Sequence, residues 1–296
     1  MRDFPSSLTP LEGGHSGRTF VGDAGGDRVV VRLYPPGASD PVTAPETDAA
    51  VLALVRGLLP VPDVLEVRRG DAATGTPGLL VTSWLPGERG DLVLDGLDTV
   101  RLGRMGSDMG RLAATLAGMP MRRPGPFVDA ALTLGHFPEG GLGEWVETRL
   151  VAWSAADRVR LVRVAERAQA LLDGVGRACL VHSDLNPKNV LVDAATGAVT
   201  GVVDWEFAHA GHPWTDLGNV LRFDRTETYA SAALDAWVVL RRGTVGDALA
   251  GARAADLWAL VDLAARAPDN PVATRAEALL GAIATTGDLH AWPSAD

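Results

Sequence analysis

Two short segments carry side chains suited to phosphoryl transfer. The first is His182-Ser183-Asp184-Leu185-Asn186-Pro187-Lys188-Asn189, running into the apolar Val190-Leu191-Val192. The second is Val202-Val203-Asp204-Trp205-Glu206. Moving a phosphoryl group asks little covalent help of a protein: the reactants must be placed in line and the phosphate charge neutralised. Asp184 is the candidate to accept or orient the proton of an attacking hydroxyl. Asn189, five residues on, offers a neutral oxygen to Mg²⁺. Asp204, 20 residues after Asp184, offers the anionic ligand that bridges the metal to nucleotide phosphates. Glu206 shares strand parity with Asp204, so both carboxylates can project to one side. It takes either a second metal ion or a metal-bound water. Asp184 and Asp204 both lie beside apolar stretches, where a carboxylate without a task is costly. Lys188 is the only lysine among the 27 lysines and arginines. It reads either as a compact charge near the phosphates or as a solvent-facing loop residue.

Elements must hold these groups in place. The first 90 residues read as strands and turns with one helix. Gly13 to Gly17 is a glycine-rich turn, followed by a short strand from Arg18 to Val21. Val29 to Tyr34 is a β-branched strand ended by Pro35-Pro36. Pro45 to Arg56 reads as a helix with Ala49, Leu52, Ala53 and Val55 on its apolar face. Strands at Val64 to Arg68 and Leu79 to Leu85 follow. Pro86 to Gly90 is a connection, and beyond it the chain turns helical: Leu97 to Met119, Trp145 to Trp153, and Ala155 to Leu172. The last of these carries Leu161, Val164, Ala168 and Leu171 on one face. The two chemical segments come next as strands and tight turns, and Asp216 to Ala284 is mostly helical.

Composition narrows the possible partners. The chain has 296 residues, 47% hydrophobic and 22% charged, with a net charge of −10, so a polyanion such as nucleic acid is excluded as a general partner. Its one cysteine, Cys179, allows no intrachain disulfide or cysteine zinc site and reads as a buried thiol. No apolar run reaches transmembrane length and no signal segment opens the chain, so a cytoplasmic location without membrane contact is expected. His209 and His212 lack further zinc ligands nearby.

The motif pair resembles the aminoglycoside phosphotransferase and choline-kinase-like superfamily, whose fold is similar to that of protein kinases. The resemblance extends over most of the chain and implies an α+β, two-lobe fold. A strand-rich nucleotide lobe would span residues 1–86, with a hinge at 83–87, and a helical catalytic and acceptor lobe residues 87–296. It implies that Gly14, His15, Ser16 and Gly17 position the nucleotide and that Arg32 stands at the usual lysine position. Glu46 would be the helix acid paired with Arg32. Ser83, Trp84 and Leu85 would hold adenine by their backbone. His182 would brace the catalytic loop, and Asp216 would be a structural aspartate. Arg32 presents a planar fork where lysine is a point charge, and Ala114-Thr115-Leu116-Ala117 replaces the Leu-His pair usual before the catalytic lobe.

The motifs argue against a protein kinase. The metal segment reads Asp-Trp-Glu, and the 11 residues between Asp204 and Asp216 leave no room for a peptide-binding segment. The implied reaction is ATP- or GTP-dependent, Mg²⁺-dependent O-phosphorylation of a small molecule by a monomer or homodimer. The acidic charge and GC-rich, actinobacterium-like composition favour a cationic acceptor and antibiotic inactivation. Candidates are aminoglycosides, tuberactinomycins of the viomycin and capreomycin type, and macrolides. The alternatives are a metabolic kinase for choline, homoserine or a sugar amine, and a nucleotide-binding pseudokinase.

Overall fold

The valine run at 29–31 lies at the centre of a strand, as β-branched side chains favour. The structure, a computed structural model, describes residues 8–11, 18–35, 45–266 and 270–293. In chain order its elements are β1 (Thr9–Pro10), β2 (Arg18–Ala24), β3 (Asp27–Tyr34), α1 (Pro45–Val55), β4 (Val64–Arg68), β5 (Gly78–Ser83), β6 (Glu88–Arg89), α2 (Gly90–Val93), α3 (Thr99–Ala117), β7 (Pro120–Met121) and β8 (Gly125–Pro126). They continue with α4 (Leu142–Arg149), α5 (Ala155–Asp173), β9 (Ala178–Val181), β10 (Val190–Asp193), β11 (Ala198–Val202), β12 (His209–Gly211), α6 (Thr215–Val220), α7 (Glu227–Arg241), α8 (Val245–Ala264) and α9 (Pro271–Thr286). By internal packing the chain forms two units: residues 1–105, 125–136 and 186–210, and residues 106–124, 137–185 and 211–296.

The first unit is built on a five-stranded antiparallel sheet, β1-β2-β3-β5-β4. One face buries Val29, Val31, Leu79 and Val81, with Phe20, Ala24 and Leu33 against them. α1 packs on β4 and β5. Its inward face is rotated from the expected one: Leu52 and Val55 are buried with Thr47, Asp48 and Val51, while Ala53 is exposed. The rotation brings Asp48 inside, where the Tyr34 hydroxyl donates to it at 2.5 Å.

The same unit contains the β10–β11 hairpin, whose first strand also pairs with β6. The boundary expected after Pro86 therefore falls inside the unit. Thr200 Oγ1 donates to the Pro86 carbonyl at 2.7 Å, and Gly87 turns beside it with φ +129°. A side chain at Gly87 would be strained and would press on Thr200 Oγ1.

The second unit is mainly helical. α4, α5, α8 and α9 enclose a core that includes Leu142, Leu161, Val164, Ala168, Leu260, Leu280 and Ile283. On α5 the inward leucine is Leu172, and Leu171 is 44% exposed, because the stripe follows the 3.6-residue turn from Leu161, Val164 and Ala165. Gly106 and Gly110 of α3 serve close packing: a Cβ at either would collide with a carbonyl oxygen of α7, at Tyr229 and at Ala233. Strand β9 is buried throughout and pairs with β7. Among the described residues, no helix is long and apolar enough to cross a membrane.

Candidate active site

The catalytic loop leaves the buried strand β9 at His182, which is 0% exposed. The Asp216 carboxylate, at the start of α6, receives the backbone N–H of His182 at 3.0 Å and of Ser183 at 2.8 Å. Asp216 is itself buried. Burial pushes its pKa up, while the His182 ring and the two backbone donors pull it down. The Asp184 N–H donates to His182 Nδ1 at 3.3 Å. Between them Ser183 adopts φ +67°, a left-handed conformation that costs energy in a residue with a side chain. Two buried anchors thus fix the backbone on either side of that residue and set the direction in which partly exposed Asp184 leaves the loop.

The residues expected to hold a metal lie in the first unit, just beyond the ends of the β10–β11 hairpin. The pairing of Val190 with Val202 brings Asn189 and Val203 to the same end of the hairpin. The Val203 N–H donates to the Asn189 carbonyl at 3.0 Å, and Asp204 follows directly. Asn189 is 3% exposed and closes the 3₁₀ turn Pro187–Asn189, in which the Asn186 side chain accepts from the Lys188 N–H at 3.0 Å. Asp204 has φ +64°, the second strained residue of the two motifs.

Arg32, from β3, donates to Asp204 Oδ1 at 3.0 Å and to Glu206 Oε2. Burial would lower its pKa, but Tyr34, Asp204, Glu206 and Asp48 outweigh that and hold it charged. Burial and then Asp204 raise the pKa of Glu206, with Arg32 opposing. Asp48 is pushed up to about 6 by burial, although the Tyr34 hydroxyl and Arg32 favour its charged form.

The donor set suits Mg²⁺. Asn189 and Asp204 offer hard oxygens from one end of a hairpin, and Mg²⁺ needs only one or two carboxylates when phosphates and water complete its shell. Among the described residues, no three of His, Cys, Asp and Glu gather as a metal-binding group.

One expected pairing is corrected. Glu46 does not meet Arg32; it accepts from Arg69 Nε at 2.5 Å on a largely exposed arginine, because α1 turns Asp48 toward Tyr34 and leaves Glu46 at the rim. Asp48 was the acid to look for. It stands three, four and seven residues before Val51, Leu52 and Val55, an acid on an apolar stripe.

In the segment expected as the hinge, the Ser83 N–H donates to the Asp63 carbonyl at 2.9 Å and the Trp84 N–H to the Arg28 carbonyl at 3.3 Å. One face of Trp84 carries the Arg28 guanidinium, 4.0 Å from the ring centre. Gly14, His15, Ser16 and Gly17 lie outside the described residues. The rings of His209 and His212 are engaged by backbone, at the carbonyls of Phe207 and Leu172. Cys179 is buried, and burial pushes its thiol up to about 12, as an inert thiol requires.

The family model described as "Phosphotransferase enzyme family" matches residues 7–244. The chain belongs to that family. This phosphotransferase shares its fold with solved structures over nearly its whole length. The ternary complex of aminoglycoside phosphotransferase APH(4)-Ia with ADP and hygromycin B is 17% identical, covers 96% of this chain and 95% of that one, and has a TM-score of 0.67. The GDP complex of an aminoglycoside 2'-phosphotransferase-IIIa mutant is 17% identical over 97% and 94%, with a TM-score of 0.70. A microcompartment-associated aminopropanol kinase is 20% identical over 96% and 94%, with a TM-score of 0.66. A curated relative, acyl-CoA dehydrogenase family member 10 of Mus musculus, is 25% identical over 223 residues. That match takes in 72% of this chain but only a fifth of the relative's length. The phosphotransferase thus has its family from the matched model and its kinase-like fold from these structures.

Proposed function

We propose that the enzyme moves the γ-phosphoryl group of ATP or GTP, in the cytoplasm and with Mg²⁺, to a hydroxyl of a small molecule through Asp184. The observation that carries this reading is the Asp216 clamp on the His182 and Ser183 amides. It spends a buried carboxylate and a strained residue on orienting one partly exposed aspartate.

In this reading Asp184 accepts the acceptor's hydroxyl proton as the oxygen attacks phosphorus. Asn189 and Asp204 would hold Mg²⁺, with Glu206 toward the metal or its water. When bound, the ion supplies Lewis-acid neutralisation of the phosphate oxygens. Arg32 passes from its carboxylate partners to the nucleotide phosphates, and Lys188 adds charge beside them. The Ser83 and Trp84 amides are engaged within the unit, so Leu85 is the proposed hinge contact for the base. Gly14 to Gly17 would cover the phosphates.

For the acceptor, antibiotic inactivation is supported by the fold shared with aminoglycoside phosphotransferases. A metabolic amino-alcohol type is supported by the fold shared with the aminopropanol kinase. The pseudokinase alternative is disfavoured by the presence of Asp184, Asn189 and Asp204 together. Asp184→Asn tests the catalytic role: turnover should fall by about 10²–10⁴ while nucleotide affinity is kept. Unchanged turnover would remove Asp184 from the chemistry.

A further inference from the structure

One cluster in the helical unit plays no part in the roles above. Arg222, just past α6, holds Asp256 of α8 with Nη2 to Oδ1 at 2.8 Å and Nε to both carboxylate oxygens at 2.9 and 3.2 Å. Its Nη2 also donates to Asn219. That pair is complete and nearly fully buried. Two more guanidiniums join it. Arg253, 8% exposed, donates from Nη1 to the Leu221 carbonyl, and its Nε is buried with no hydrogen-bond partner. Arg225 donates from Nη1 to the Ala291 carbonyl at 2.9 Å and from Nε to the Arg222 carbonyl at 3.2 Å, and it stacks 4.5 Å from the Trp292 ring centre. Its Nη2 is buried and also without a partner.

Of the three guanidiniums only Arg222 is paired with the Asp256 carboxylate, and Arg225 and Arg253 feel that carboxylate through space. Burial lowers Arg225 to about 9, with Arg253 adding to the fall and Asp256 opposing it. Burial lowers Arg253 to about 10, again against Asp256. Buried charge is ordinarily matched by an opposite charge or by hydrogen bonds. Here two buried donors without partners, one from the stretch between α6 and α7 and one from α8, carry a surplus of positive charge, and a guanidinium edge is shaped for a carboxylate or phosphate.

We propose that Arg225 and Arg253, backed by the Arg222–Asp256 pair, form a subsite for an oxyanion, a carboxylate or phosphate carried by the acceptor. This rests on the reading of the chain as a small-molecule phosphotransferase. It redirects the acceptor from a purely cationic compound to a hydroxyl compound bearing an acid group.

The first arm of the test is thermal unfolding of the full chain with inorganic phosphate, against KCl at equal ionic strength. It is run with and without saturating ADP, so that the nucleotide's own phosphate contacts are covered. Phosphate should raise the unfolding temperature in both conditions, and Arg225→Gln should weaken its apparent affinity by about tenfold or more. Arg225→Lys, which keeps the charge but not the fork, should fall between the two. A phosphate response no larger than that of KCl, as buried water at the two donors would give, overturns the subsite. So does a response that both variants retain.

The second arm measures ATP-dependent phosphorylation of paired hydroxy acids and their primary amides, lactate with lactamide and glycerate with glyceramide. Preference for the acids, lost in Arg225→Gln, assigns the anion to the acceptor. Equal use of acid and amide overturns that assignment. The phosphate arm reads out without turnover, so failure of the subsite and failure of the kinase reading are distinct results.

Discussion

The strand-rich unit gathers carboxylates around one arginine, and the helical unit gathers arginines around one carboxylate. In the first, Arg32 meets Asp204 and Glu206, with Asp48 close enough to feel its charge. In the second, Arg222 pairs with Asp256, and Arg225 and Arg253 are close enough to feel its charge. Each cluster buries a surplus of one sign, and burial displaces the pKa values in opposite senses: Asp48 upward, Arg225 and Arg253 downward. A surplus of carboxylate suits a divalent cation, and a surplus of guanidinium suits an oxyanion. In the proposed reading, each unit receives a charge from outside itself.

The largest expected effect breaks the acidic side. Asp204→Ala should abolish Mg²⁺-dependent nucleotide binding, read by calorimetry with and without the ion. An affinity that still responds to Mg²⁺ would take Asp204 out of the metal site. On the basic side, Asp256→Ala leaves buried Arg222 without its carboxylate partner and should destabilise the protein by about 3–5 kcal/mol in urea unfolding. A loss under about 1 kcal/mol would mean that solvent or another group compensates it.

A pH series sharpens the comparison. Folded Asp48 titrates near 6, above the ordinary carboxylate value, so between about pH 4 and 6 the folded state binds more protons than the unfolded one. Its contribution to stability is full below the unfolded pKa and is lost as pH rises through about 6. Asp48→Asn keeps the oxygen that accepts from Tyr34 but removes the titration. Relative to the parent, it should therefore gain stability between pH 4 and 7, by on the order of 1 kcal/mol. A difference between the two proteins that is flat with pH would contradict the assignment. The smallest effect is expected at the rim, where Glu46→Gln breaks an exposed pair with Arg69 and should cost within about 0.5 kcal/mol, with turnover unchanged. A large loss of activity would restore Glu46 to the Arg32 network.

The chemical segments were legible because each is local. Asp184, Asn189, Asp204 and Glu206 sit within 23 residues, in the loops and turns that flank valine-bearing strands. The β3 strand was legible for the same reason. Faces were less so: Leu171 and Leu172 are equally apolar, and only packing chooses between them. Glu46 and Asp48 are both acids of the first turn of α1, and the tyrosine that draws one inward lies on another element. The arginine cluster was out of reach. Its members come from 222–225 and 253–256, and nothing local distinguishes them from the other arginines of an arginine-rich chain.

The most direct test of the central claim is mass spectrometry of a mixed acceptor panel incubated with ATP and Mg²⁺, with Asp184→Asn as the parallel sample. The panel holds aminoglycosides, tuberactinomycins, macrolides, choline, homoserine, and hydroxy acids with their amides. The account predicts one phosphoryl group added to one class of hydroxyl compound by the parent enzyme and a product yield at least about a hundredfold lower from the variant. Product formed equally by both proteins would contradict it.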